Sequence, residues 1–225
     1  MKLLALETST LMGSIALVSD GKLISEYQTG IMQTYSELLL PLIDQVLRAS
    51  GVTIEEIDTF AVAQGPGSFT ALRIGMSVIM GLALARHKQV VPVPSLDGLA
   101  YNVCCSRHLM CPLLDARKGE VYGALYKGSA DTMLQRLTPY MVTRPDKLIE
   151  DITETVVFLG DGTTLYKDLL VDKLQEKALF APLHLSHPRA SAIAALALQK
   201  MSGHVSSATE NIAPLYVRHP DAEAK

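Results

Sequence analysis

The sequence is poor in several things that would have narrowed its role quickly. No run of Lys and Arg is longer than a pair, and 20 basic residues against 23 acidic ones leave a formal charge of −3 over 225 residues. The chain therefore lacks the basic footprint with which proteins grip nucleic acid through phosphates. The three cysteines are an odd number without paired spacing, which argues against a disulfide scaffold. The longest uncharged apolar stretch, Ile74 to Ala85, is too short to span a bilayer, and Glu7 interrupts the apolar start before a signal-peptide core is complete. The expectation is a soluble, cytoplasmic protein without a membrane role. What the chain does have is apolar material: 48% hydrophobic against 19% charged residues excludes charge-driven disorder and suffices for a real core.

The order of patterns predicts two α/β lobes. Short apolar runs at Leu3–Leu6, Ile15–Val18 and Leu23–Tyr27, separated by turn signals at Met12-Gly13 and Asp20-Gly21, read as a three-stranded antiparallel meander. A helix over 36–49, a strand over 60–63, a helix over 69–86, a strand over 90–93 and a helix over 96–103 follow. The second half repeats this order more loosely. It has a hairpin from Cys111–Leu114 to Val121–Tyr126 around Arg117-Lys118-Gly119, then strands near 133–137 and 141–142. A helix near 145–151, a strand over 156–159 and a helix over 163–175 come next. A last helix opens at Pro188 and runs to Met201, with an extended stretch over 212–217. The expected division is 1–103, joined by helix 188–201, then 104–187, with 202–225 as a tail.

Four groups of residues could carry chemistry. Gly65-Pro66-Gly67-Ser68-Phe69-Thr70 joins a strand to a helix, where Ser68 or Thr70 can cap and free N–H groups attract anions. It lacks the Lys-Ser/Thr of a P-loop and the third glycine of a dinucleotide fingerprint, and a plain strand-to-helix turn is the competing reading. Glu7-Thr8-Ser9-Thr10 ends the first strand and could hold hydrated magnesium and a phosphate; otherwise Glu7 faces solvent and the hydroxyls satisfy turn amides. Cys104, Cys105, His108 and Cys111 supply soft ligands from one short segment, whereas structural zinc usually draws on two. His184 and His187 are three apart before a proline, unlike a zinc-protease pair, and no Gly-x-Ser-x-Gly elbow occurs. No metal site is expected.

The strongest physical signal lies in two helices. On 36–49, Leu38, Leu39, Leu40, Leu42, Ile43, Val46 and Leu47 cover roughly 200° of the wheel at about 100° per residue. On 69–86, apolar residues go almost all the way round, whereas a core-facing helix needs a stripe of little more than ~100°. Both sides of such a helix must be covered, by a protein partner or else by the second lobe or the C-terminal helix. The expected partner surface comprises Tyr35, Leu38, Leu39, Leu42, Ile43 and Val46 on the first helix. Phe69, Arg73, Met76, Ile79 and Met80 complete it on the second.

Leu3-Leu-Ala-Leu-Glu-Thr-Ser-Thr10, Ser36-Glu-Leu-Leu-Leu-Pro-Leu-Ile43 and Gly65-Pro-Gly-Ser-Phe-Thr-Ala-Leu-Arg-Ile-Gly75 resemble the TsaB (YeaZ) family. Asp115-Ala-Arg117-x-x-Glu120-Val-Tyr122, Gly160-Asp161-Gly162 and Pro214-Leu-Tyr216-Val-Arg218 extend the likeness over nearly the whole chain. The resemblance implies an actin/Hsp70/sugar-kinase-like fold of two ribonuclease-H-like lobes, each a mixed sheet flanked by helices. It also implies a non-catalytic subunit of the bacterial complex that places threonylcarbamoyl on tRNA adenosine. In that complex a TsaD-type paralogue transfers the group with a metal held by His-x-x-x-His, a motif absent here, and a TsaE-type ATPase joins them. The two apolar helices correspond to the family's dimer surface, used for TsaD or, in isolation, for a second copy. Contact with tRNA would be indirect. The chain would need no cofactor of its own, with ATP or ADP and magnesium at the complex interface, and any nucleotide contact would fall on Glu7, Thr8, Ser9, Gly65, Gly67 and Ser68. Three positions depart from the family pattern: Glu7 replaces aspartate, Tyr35 histidine and Ala71 glycine. The residues leave two other readings open, an autonomous ATP-dependent phosphotransferase and a peptidase.

Overall fold

The structure, a computed structural model, describes residues 1–30, 35–129, 134–202 and 212–218. Contacts divide the chain into two compact units, Met1–Gly98 with Pro188–Pro214, and Leu99–His187 with Leu215–Lys225. The change of unit falls at Leu99, where the sequence suggested 104, and the tail is shared between the units. No helix among the described residues is long and apolar enough to cross a membrane.

The first unit holds a five-stranded sheet in the order β3-β2-β1-β4-β5. Strands β1 (Lys2–Glu7), β2 (Met12–Ser19) and β3 (Lys22–Gly30) form the expected meander, all antiparallel. Asp20 and Gly21, both at positive φ (50° and 75°), make the tight turn between β2 and β3 that such strands favour. Met12-Gly13 is not a turn: both residues lie in β2, and the reversal occupies residues 8–11. Strands β4 (Thr59–Ala63) and β5 (Gln89–Val93) add in parallel beside β1.

Why β1 reads as a continuous apolar run becomes clear from its two faces. Successive side chains alternate across a strand. Leu4 and Leu6 enter one core with Leu39, Ile43, Val46, Met76 and Ile79 from α1 (Tyr35–Ala49) and α2 (Phe69–Ala85). Leu3 and Ala5 enter the other, against Ala190, Ile193, Ala194 and Ala197 of α6 (Ala190–Ser202). The alanines Ala5, Ala16, Ala61 and Ala63 on that side leave room for α6. Both faces are therefore buried, as parallel-strand sheets require. The C-terminal helix packs on the opposite side of the sheet from α1 and α2, so it does not cover their outer faces. It also starts at Ala190 rather than Pro188. There Glu26 of β3, ion-paired with Arg189, accepts the Ser191 amide, and the Ser14 hydroxyl accepts the Ala190 amide.

The second unit repeats the strand order as β10-β7-β6-β11-β12, with β8 and β9 branching off β6. It contains β6 (Leu109–Arg117), β7 (Glu120–Gly123), β8 (Tyr126–Gly128), β9 (Leu134–Arg136), β10 (Met141–Thr143), β11 (Val156–Leu159) and β12 (Ala178–Phe180). Helices α3 (Ser95–Tyr101), α4 (Pro145–Leu148) and α5 (Asp161–Leu174) complete the chain. The expected strand 121–126 is broken, because β7 pairs with β6 at Leu113–Arg117 whereas β8 turns to pair at Met110. Strand β12 has no counterpart in the sequence reading, and Ile212–Val217 forms no strand.

The two faces of α2 make a direct test of this packing. Ile79 is fully buried and Met80 is 39% exposed. Ile79→Ala should cost ~3 kcal/mol of stability, whereas Met80→Ala should change it by less than about 0.5 kcal/mol. Urea denaturation of the two variants checks the difference.

Candidate functional site

Two places in the first unit gather the residues singled out by sequence. The first lies where β1 ends. Glu7, Thr8 and Ser9 are all buried, Glu7 completely. One carboxylate oxygen of Glu7 accepts the Ser9 amide, while Glu7 Oε2, Thr8 Oγ1 and Ser9 Oγ have no hydrogen-bond partner among the described residues. The bland reading of a solvent-facing Glu7 is therefore wrong. Burial pushes its carboxyl up to about 7, against the lowering effect of the Ser9 amide hydrogen bond.

The glycine loop closes this place. The Gly65–Pro66 peptide is cis, and Ser95 holds Gly65 through its hydroxyl and amide. A Cβ on Gly67 would stand 2.3 Å from the Ser9 carbonyl oxygen, and one on Gly75 would stand 2.2 Å from Thr8 Oγ1. Ser68 donates its amide to the same Ser9 carbonyl. It occupies the cap position of α2, but its side chain makes no capping bond. The missing side chains at 67 and 75 thus let α2 and its loop press on the chain's own Thr8–Ser9 segment. Magnesium needs accessible, charged oxygen ligands. A sealed carboxyl biased towards its neutral form does not fit that need, nor a nucleotide carried by it.

Tyr35 joins this region from α1: its buried hydroxyl donates to the Thr10 carbonyl. Burial, and then the neighbouring Glu7, push the phenol well above its usual range. Tyr35 is therefore an internal tie, not a surface residue.

The second place is the outer face of α1 and α2. Here the expected partner surface needs correction, because six of its residues belong to the unit's own core. Tyr35, Leu39, Ile43, Val46, Met76 and Ile79 are at most 5% exposed. Leu38 and Leu42 are half-buried. Phe69, Arg73 and Met80 do reach solvent, with the Arg73 guanidinium 3.7 Å from the Phe69 ring centroid. The sequence reading missed Leu84, 78% exposed, and Leu40, 52% exposed. Phe69, Arg73, Ser77, Met80 and Leu84 recur at helical spacing and define one stripe, with Gly81 beside it. That spacing was the available signal, hidden by the apolar residues on every other side of α2.

The remaining candidates scatter. Cys111 is fully buried in β6, Cys104 is buried and Cys105 exposed, and no group of three metal-ligating side chains forms among the described residues. Burial drives the Cys111 thiol upward, and burial with the adjacent Cys105 raises Cys104 to about 11, so both stay protonated. His184 and His187 sit in a segment held by the Asn102 amide, which donates to the Leu185 and His187 carbonyls. In the second unit Asp161, at the start of α5, accepts the Asp115 amide, and burial raises its carboxyl. Arg218 of the tail donates to the Ala116 carbonyl and to Glu120.

Glu7 sets a pH test. Its carboxyl titrates near its usual 4.5 when unfolded and near 7 when folded, so its contribution is full below pH 4.5 and is lost as pH rises through 7. The loss amounts to ~3 kcal/mol. Glu7→Gln keeps the acceptor for Ser9 and should remove this slope. Denaturation of both proteins from pH 5 to 8 should show the variant gaining on the wild type, and parallel curves would contradict the assignment.

Comparison with known proteins agrees with this architecture. The family model for TsaD, tRNA N6-adenosine threonylcarbamoyltransferase, matches residues 18–225. The TsaB tRNA threonylcarbamoyladenosine biosynthesis protein of Bacillus subtilis is 31% identical over 230 residues, covering 100% of this chain and 97% of that one. Its Escherichia coli namesake is 26% identical, covering 97% and 95%. The solved structure of YeaZ from Pseudomonas aeruginosa superposes with a TM-score of 0.80 at 28% identity, over 96% of this chain and 99% of that one. The Acidaminococcus fermentans (R)-2-hydroxyglutaryl-CoA dehydratase component A, at 11% identity and a TM-score of 0.56, shares the fold alone. The fold is that of the actin/Hsp70/sugar-kinase group, and the chain belongs to the TsaB (YeaZ) family.

Proposed function

We propose that this chain acts in tRNA threonylcarbamoyladenosine formation as a non-catalytic subunit that docks on a TsaD-type transferase. The observation that carries the reading is the exposed stripe on α2: among the described residues, Phe69, Met80 and Leu84 reach solvent on a helix whose other side is already in the core. Exposed apolar stripes of this kind mark protein contacts. Ser77 and Gly81 present no bulk beside them, and a Cβ on Gly81 would meet nothing within 4 Å. A partner helix can therefore approach closely. Leu40 and the half-buried Leu38 and Leu42 widen the surface on α1.

The sealed Glu7 and the loop pressed on Thr8 and Ser9 favour a supporting role over chemistry in this unit, so the phosphotransferase reading loses its main residue. Nothing favours the peptidase. The same stripe would pair two copies of the chain when the transferase is absent. A TsaE-type ATPase completes the assembly, with ATP or ADP and magnesium bound at an interface instead of on this chain alone. A net charge of −3 suits a subunit that leaves tRNA to its partner.

Substitutions at Met76 or Ile79 would wreck the core and tell nothing about docking. Gly81→Arg and Leu84→Glu alter only the outer face. Each should leave the melting temperature unchanged and weaken binding to a TsaD-type transferase ~100-fold, because charge is buried unpaired in the contact. Gel filtration of the mixed proteins checks this, and co-elution of either variant at wild-type affinity would reject the docking surface.

A further inference from the structure

The second unit contains a cavity that the proposed docking role leaves unused. It has a volume of about 680 Å³, inside the ~300–1,000 Å³ range of ligand pockets. Its floor is apolar, formed by Leu109, Leu125, Met141, Leu148 and Ile152, which fringe or belong to that unit's core. Thr138 fixes one wall by accepting the Leu125 amide on its hydroxyl.

Three successive residues of β10, Met141, Val142 and Thr143, all line it. Side chains alternate between faces along a strand, so a cavity touching three in a row abuts the strand's edge and not one of its faces. That edge is open. Among the described residues β10 pairs only with β7, through Met141–Gly123, Val142–Tyr122 and Thr143–Val121, and it ends the sheet. In an antiparallel pair the peptide groups point alternately towards the partner and away from it. A three-residue edge therefore offers N–H and C=O groups to the cavity side.

The charge of the rim is also one-sided. Lys147 lines the cavity, but its ammonium is bridged to both oxygens of Glu150 at 3.0–3.2 Å. The Arg136 guanidinium stacks on the Tyr140 ring, 3.8 Å from its centroid. Asp151 and Glu154 are exposed on the rim and form no ion pair with any described residue. Two unpaired carboxylates thus stand over an apolar floor beside an open strand edge.

From this juxtaposition we propose that the cavity takes an extended basic–apolar peptide segment of a partner protein, added as a strand along β10. Alternate apolar side chains enter the floor, and the basic ones between them meet Asp151 and Glu154. Main-chain bonding to the edge supplies affinity, while the two carboxylates select the sign of the ligand. This site is independent of the α2 stripe and stands or falls separately from it.

Fluorescence anisotropy with the full chain tests the proposal, using a labelled heptapeptide of alternating Lys and Val. Its Glu/Val counterpart serves as control and spermidine as a competitor. The Lys/Val peptide should bind saturably and the Glu/Val peptide should not. Asp151→Lys with Glu154→Lys should weaken binding ~10-fold or more, and the milder Asp151→Asn with Glu154→Gln should weaken it in the same direction. Hydrogen exchange should slow at Met141–Thr143 when the peptide binds. Several outcomes would overturn the proposal: equal binding of both peptides, no saturation by about 1 mM, or binding without protection of β10. Displacement by spermidine at the concentration that unlabelled peptide requires would assign the cavity to a small cation instead.

Discussion

The burial of the first sheet on both faces governs most of what the first unit does. Because β1, β2 and β4 send Leu4, Leu6, Ile15, Phe60 and Val62 to one side, α1 and α2 must commit Leu39, Ile43, Met76 and Ile79 to that core. The phase of each helix is then set. Met80 and Leu84 are left on the far side, and α6 cannot shield them because the alanine-lined face of the same sheet holds it. At roughly 25 cal/mol per Å² of apolar surface, leaving such a stripe in water is a standing cost that a docking partner would remove. The proposed docking surface is thus the outer half of two helices whose inner half makes the fold.

A second consequence appears at the end of β1. The resemblance implied nucleotide contacts at this strand end and the following glycine loop, on Glu7 and Gly65–Ser68. Here α2 and its loop lie so close that a side chain at Gly67 would collide with the backbone of Ser9, and one at Gly75 with the side chain of Thr8. The extra methylene of glutamate at position 7 carries the carboxyl into a sealed space, where it captures the Ser9 amide and titrates near neutrality. The Thr8 and Ser9 hydroxyls beside it are buried and lack a hydrogen-bond partner among the described residues. Burying unsatisfied polar atoms destabilises a fold, and their presence together argues that packing alone did not select them.

Much of the fold was legible. Asp20-Gly21 announced the β2–β3 turn, the helix predicted over 36–49 is α1, and the repeated order of elements pointed to two units. The failures have physical causes. Met12-Gly13 carries a turn signal in its glycine, yet β2 is sandwiched between neighbours that hold it extended. The run 121–126 looked like one strand because strand patterns do not show where a chain changes partner. Six residues of the expected partner surface instead face the core. A helix apolar on every side has no hydrophobic direction to read, so Met76 and Ile79 could not be told from Met80 and Leu84 without the sheet beneath them. Glu7 was misplaced for the opposite reason: a carboxylate is ordinarily solvated, and nothing local signals burial.

The account rests most heavily on the outer face of α2 being the contact with a TsaD-type transferase. Hydroxyl-radical footprinting of the chain, alone and in complex with such a transferase, measures this side chain by side chain. Oxidation of Phe69, Met80 and Leu84 should fall sharply in the complex, while solvent-exposed Leu183, remote in sequence and in the other unit, keeps its reactivity. Undiminished oxidation of Met80 and Leu84 in a stable complex, with protection elsewhere, would contradict the account.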